Sequence, residues 1–129
     1  MNMKIRCEHN SIRLRIRKSE LAQLRNEGCL RTSIHFPDGN EITWELGIAD
    51  HSPNLQAEFS NHTIRITLPD EAARHWMQSD QVGLEMHLAL KQGEQLHLLV
   101  EKDFPCKDRP GEDKSDFFEE LAETTPPSC

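Results

Sequence analysis

LRTSIHFPDGNEITWELGI, residues 30–48, places apolar side chains at Leu30, Ile34 and Phe36 before Pro37-Asp38-Gly39 and at Ile42, Trp44, Leu46 and Ile48 after it. Side chains two residues apart share one face of a strand, so both arms read as strands with a single buried face. Pairing Ile34 with Ile42 leaves a three-residue loop with Gly39 third, where left-handed backbone is needed. That register sets Arg31 opposite Glu45. VGLEMHLALKQGEQLHLLV, residues 82–100, has the same layout around Lys91-Gln92-Gly93, with Gly93 falling 54 residues after Gly39. Gly93 as third loop residue opposes Leu90 to Glu94 and, stepping back along both arms, sets His87 across from His97 on the outer face.

Upstream of each long hairpin the sequence calls for a shorter one. Ile5 and Cys7 face Leu14 and Ile12 around His9-Asn10, and Leu55, Ala57 and Phe59 face Leu68, Ile66 and Ile64 around Asn61-His62. Between the hairpins of each half lies a short helix. The first runs from a Ser19 cap through Leu21 and Leu24 to Gly28; the second runs from Pro69 through Ala72, Ala73 and Trp76 to Ser79-Asp80. The order ββαββ thus occurs twice, over about 3–50 and 55–103, which predicts an internal duplication. Two short helices cannot cover an outward apolar face, so the shared face of eight strands must point inward. The expected fold is mainly β with two short helices (α+β), pseudo-twofold, with antiparallel strands in a barrel or sandwich. Tunnel enzymes acting on triphosphates line their barrels with charge, and the apolar interior here speaks against them.

The 129 residues fit one domain over 1–103 followed by a tail over 104–129. Mean hydropathy is -0.69, and no run nears the ~20 apolar residues of a membrane span. The N-terminal residues show no apolar signal core, which predicts a cytoplasmic protein without membrane contact. Net charge is -7, the wrong sign for a generic nucleic-acid binder. The charge is also polarised. Residues 1–30 carry seven basic and three acidic groups, while residues 104–129 carry three basic and seven acidic ones. Either the tail neutralises the basic end or each end serves a partner.

Taken together, MKIR at 3–6, NSIRLR at 10–15, KSE at 18–20, DQVG at 80–83 and VEKDF at 100–104 followed by Cys106 resemble a family of short bacterial proteins of unknown function. Each half also resembles the swapped-hairpin unit of AbrB-type regulators, which occurs twice per chain in the MraZ type. Leu68-Pro69-Asp70-Glu71 matches that unit's Ile-Pro-x-Glu, Trp76 falls at its helix Leu, and Asp80 then Val82 follow as turn and strand. Arg74 comes one position late, the turn is short and lacks its Gly, and the first half lacks the Pro. This second resemblance implies exchanged hairpins and a DNA-binding regulator.

Candidate chemistry is sparse. Arg13, Arg15 and Arg17 alternate opposite Ile12, Leu14 and Ile16 with Lys18 adjoining, which reads as an anion- or nucleic-acid-tracking stripe or as a solvated strand face that discourages edge pairing. Cys7 and Cys29 read as small core residues. Cys106 stands among Asp108, Glu112, Asp113 and Asp116 and is a candidate ligand for zinc or another transition metal, as are paired His87 and His97. No nucleotide-binding or hydrolase motif occurs, so no catalytic residue is assigned and no cofactor is predicted. The tail, rich in acid and Pro, is expected to be largely flexible. Within it Phe117, Phe118 and Leu121 form a docking segment, either for a protein partner or for the chain's own barrel. The reading favoured by these features is a small non-enzymatic binding or regulatory module. A DNA-binding regulator of the AbrB or MraZ type, and a metal-binding protein or small metal-dependent enzyme using Cys106, remain the alternatives.

Overall fold

The computed structural model describes residues 3–103. The elements in chain order are β1 (Lys4–Glu8), β2 (Ser11–Ile16), α1 (Lys18–Glu27), β3 (Cys29–His35), β4 (Glu41–Ala49), β5 (Gln56–Ser60), β6 (Thr63–Pro69), α2 (Asp70–Gln78), β7 (Gly83–Ala89) and β8 (Gln95–Lys102). All four hairpins take the registers that keep their apolar residues together: Cys7 faces Ile12, Ile34 faces Ile42, Phe59 faces Ile64 and His87 faces His97.

The strands form two four-stranded sheets, sheet A in the order β1-β2-β8-β7 and sheet B in the order β3-β4-β6-β5. Each sheet therefore joins one hairpin from each half. The inner strands meet in parallel, with Leu14 beside Val100 in sheet A and Leu46 beside Ile66 in sheet B. The expectation of wholly antiparallel pairing is corrected at these two junctions. Alternation reports only which face a residue occupies, and it is the same for a parallel and an antiparallel neighbour. Nor does a closed barrel form. In its place, side chains from both sheets and both helices build one core: Leu14, Ile16, Leu84, Leu98 and Val100 from sheet A, Leu30, Trp44, Leu46, Ile66 and Leu68 from sheet B, and Leu24, Ala73 and Trp76 from the helices. Because the helices enter the interior, the two sheets have no need to close on each other. Burial of each large aliphatic group contributes about 1.5–3 kcal/mol.

Two indole N–H groups tie this core to backbone. Trp44 donates to the Met3 carbonyl at 3.1 Å, bridging sheet B to the start of β1, and Trp76 donates to the Val82 carbonyl at 3.0 Å. The first helix begins two residues earlier than a Ser19 cap implies. Arg17 is its cap residue, and the Arg17 backbone N–H donates to the Glu20 carboxylate at 2.9 Å. A Glu at the third helical position thus satisfies an orphan donor. Gly28 closes the helix at φ 78° and donates to the Leu24 carbonyl at 2.8 Å. The two three-residue loops differ in one respect: Gly39 alone is left-handed in the first, while both Gln92 and Gly93 are left-handed in the second. Among the described residues no helix is long and apolar enough to cross a membrane.

Candidate functional site

The outer face of sheet A collects the charges that the sequence singled out. Parallel pairing sets Arg15 beside Glu101 and Arg13 beside Leu99, one strand step away. Glu101 accepts a hydrogen bond from Arg13, and Arg15 Nε lies 2.9 Å from the same carboxylate as an ion pair. Beyond the end of β8, Asp103 lies 3.0 Å from Lys4 Nζ and 3.9 Å from Arg15. The Lys4 ammonium bonded to Asp103 holds its carboxyl below the usual carboxylate range, with help from the charges of Arg15 and Arg17 and against partial burial. Arg13 and Arg15 are therefore engaged in an ion network on an interior strand. β2 is flanked by β1 and β8, so these arginines do not guard an edge as the sequence reading allowed. Arg17 caps α1, and Lys18 is its first residue.

Farther along the same face, His87 and His97 stack with ring centroids 4.4 Å apart and planes 6° from parallel. His97 Nε2 lies 2.7 Å from a Glu85 carboxylate oxygen. The hairpin register thus brings together the two histidines as the sequence implied, but as stacked plates with a single carboxylate on one of them. Among the described residues no group of three or more His, Cys, Asp or Glu side chains could hold a metal ion.

The outer face of sheet B carries an alternating ionic row. Glu45 lies 3.0 Å from Arg31 and 2.9 Å from Arg65, and Arg65 lies 3.8 Å from Glu58. Cys29 begins the adjoining edge strand. Both Cys7 and Cys29 are exposed, which corrects the expectation that they pack in the core. Cys7 sits on the edge strand β1, and Cys29 has odd parity in β3, where the even positions Leu30 and Thr32 are the buried ones. Burial of its sulfur still pushes the Cys29 thiol pKa up. Glu45 adds to the shift, while Arg31 and Arg65 oppose it.

The inner face of sheet B holds a feature the sequence reading assigned wholly to the core. Toward the end bearing the Gly39 loop, Ile34 is 46% exposed, Phe36 50% and Phe59 67%. In the sheet register Phe59 is followed across the face by Ile64, Trp44 and Thr32, with Ile42 and Ile34 in the next row. Trp44 is buried and Ile42 and Ile64 are partly so; the flanking apolar groups face solvent. Alternation could not reveal this, because it continues unchanged past the point where the opposing layer ends.

The model of a family of unknown function matches residues 3–121. The chain belongs to this family (DUF7009). A comparison with curated proteins finds no match. The family match runs past Asp103 through Cys106, Phe117, Phe118 and Leu121, the metal and docking candidates of the tail, all of which lie outside the described residues. Sequence reasoning missed Glu101 as the common partner of Arg13 and Arg15. The two are 86 or more residues apart, and only the parallel junction makes them neighbours.

Proposed function

We propose that this chain is a non-enzymatic, cytoplasmic binding module built from two copies of a ββαββ unit, and that it receives an extended peptide of a partner protein at the apolar end of sheet B. The observation that carries this reading is the exposure of Ile34, Phe36 and Phe59 on a face whose other residues form the core. Large apolar groups left exposed on a sheet face mark an interaction site, and Ile34 and Phe36, two residues apart at the end of β3, form such a patch beside the β3 edge, while Phe59 stands on the far strand β5. The neighbouring edge supplies the second element of recognition. Phe36 N–H donates to the Asn40 carbonyl at 2.8 Å, which directs the backbone groups of even-numbered β3 residues toward β4. Those of Arg31, Ser33 and His35 then point to the open edge. A peptide added there gains backbone hydrogen bonds and lays alternate apolar side chains against Ile34 and Phe36. Support for two copies comes from the strand orders: β1-β2-β8-β7 becomes β5-β6-β4-β3 when each element is exchanged for its counterpart.

The test is selection of displayed random peptides on the full chain. Selected sequences should carry apolar residues at alternate positions, and Ile34→Ser with Phe36→Ser should weaken them by about tenfold or more, as loss of apolar anchors does. No enrichment, or binding indifferent to both substitutions, would overturn the reading.

A DNA-binding role of the AbrB or MraZ type is the second reading, favoured by the exchange of hairpins between halves. Its check is a salt titration against random duplex DNA, where phosphate contacts impose a steep slope. Absence of measurable binding at low salt would remove it.

A further inference from the structure

The ionic row on the outer face of sheet B crosses the whole sheet and alternates in sign. Glu58 on β5, Arg65 on β6, Glu45 on β4 and Arg31 on β3 stand directly across from one another. Glu45 divides its carboxylate, with Oε1 3.0 Å from Arg31 Nη1 and Oε2 2.9 Å from Arg65 Nε. The row therefore ends on a cation at the β3 edge, where the Arg31 side chain is 60% exposed and has room for a second carboxylate. Arg31, Ser33 and His35 turn their backbone groups to this same edge, and Ile34 and Phe36 are exposed beside it.

We propose that the peptide strand received at β3 carries an acidic residue opposite Arg31, three positions from one apolar residue and five from a second. Resting on the peptide-binding reading, this adds the charge and the spacing of the ligand. An added strand continues the pleat, so its residues opposite Arg31, Ser33 and His35 lie on the outer face and those opposite Ile34 and Phe36 on the apolar one. Ile34 is three residues from Arg31 and Phe36 is five, and the ligand keeps those intervals in whichever direction it runs. Opposite charges directly across from each other stabilise strand pairing and like charges oppose it. An acid at this position extends the alternation of the row, whereas a base would confront Arg31. A second copy of the chain fits less well. With the apolar faces on one side, its β5 would lie parallel to β3, and setting Glu58 opposite Arg31 brings Ser60 to Ser33 and the Asn61-His62 turn to Ile34. That strand would end before it covered Ile34 and Phe36.

Fluorescence anisotropy of the full chain tests this with the labelled, end-capped peptide Gly-Glu-Thr-Ser-Val-Thr-Val-Gly and its reversed sequence, using whichever direction binds more tightly. Gln in place of the Glu should weaken binding about threefold and Lys about tenfold. Moving the Glu one position toward the valines turns it to the apolar side and should remove its advantage. Arg31→Gln should level the three peptides, and Arg31→Glu should reverse their order so that the Lys peptide binds best. Equal binding of the Glu, Gln and Lys peptides to the unaltered chain, or a preference for acid that survives Arg31→Glu, would overturn the proposal and leave the apolar site standing. Failure of every peptide to bind would overturn the peptide-binding reading and the proposal with it. Self-association of the chain that Glu58→Lys abolishes and the Glu peptide does not disturb would assign the edge to a second copy, and so would also overturn it.

Discussion

Replacing Glu101 by Gln should destabilise the protein more than any other single loss of surface-facing charge. The Glu101 side chain is 7% exposed and forms ion pairs with two arginines, one of which, Arg15, is itself only 8% exposed. Breaking a buried pair by removing one partner leaves an uncompensated buried charge and costs about 3–5 kcal/mol. Asp103 remains 3.9 Å from Arg15 and takes up part of that charge, so the expected loss is about 2–4 kcal/mol. Urea unfolding of the full chain measures it, with a lowered midpoint and an unchanged m-value. Glu85→Gln serves as the control. Its side chain is 55% exposed and its ion pair is with the partly exposed His97, so its effect should stay within about 0.5 kcal/mol. Combining Glu101→Gln with Arg15→Met should recover much of the loss, because replacing both members of a buried pair with groups of similar shape is near neutral. A Glu101→Gln midpoint equal to that of Glu85→Gln would refute the reasoning. It would mean that Arg15 reaches water or another carboxylate without structural cost.

Three further outcomes follow from the geometry. A Cβ added at Gly83 would sit 2.7 Å from the Val100 carbonyl oxygen and 2.9 Å from Glu101 Cβ, so Gly83→Ala should cost about 1–3 kcal/mol in urea unfolding, and a neutral result would show that β7 can shift. Asp103 has a depressed pKa when folded, so its contribution is present above the unfolded carboxylate value and is lost as pH falls through the folded one; the stability gap between the unaltered protein and Asp103→Asn should therefore close in acid and widen toward neutral pH, and a gap that grows in acid would contradict the sign. Burial and Glu45 raise the Cys29 thiol pKa, so alkylation of Cys29 at neutral pH should be slower than that of a free thiol and should quicken in Glu45→Gln, which a rate measurement by mass spectrometry on the modified peptide will show.

Hairpin registers were legible because they are local. Gly39 and Gly93 restrict where the chain can turn, and one buried face then forbids a one-residue slip, which is why Arg31 meets Glu45 and His87 meets His97 as the spacing requires. The order of hairpins within a sheet is a different matter. Nothing in the alternation of β2 says that its second neighbour is β8 running the same way, since parallel and antiparallel partners present the same faces. The exchange between halves was implied only by resemblance of the units, and the mixed sheets are its direct consequence.

The same limit explains what could be read of the candidate sites. The Arg13-Arg15 alternation was visible, but its chemistry depends on Glu101, which local spacing cannot assign to it. A stripe of arginines beside water is an anion track, whereas the same stripe beside a buried carboxylate is part of the scaffold. Exposure at Phe36 and Phe59 was invisible for the converse reason. A strand's own pattern records which face turns inward and carries no mark of how far the covering layer extends. Phe59 and Ala57 obey one periodicity on one strand, yet Phe59 is exposed at the end of the face while Ala57 packs against the core. An exposed apolar surface of this kind is the continuation of a core past its cover, and it separates from the core only when the ends of both layers are known.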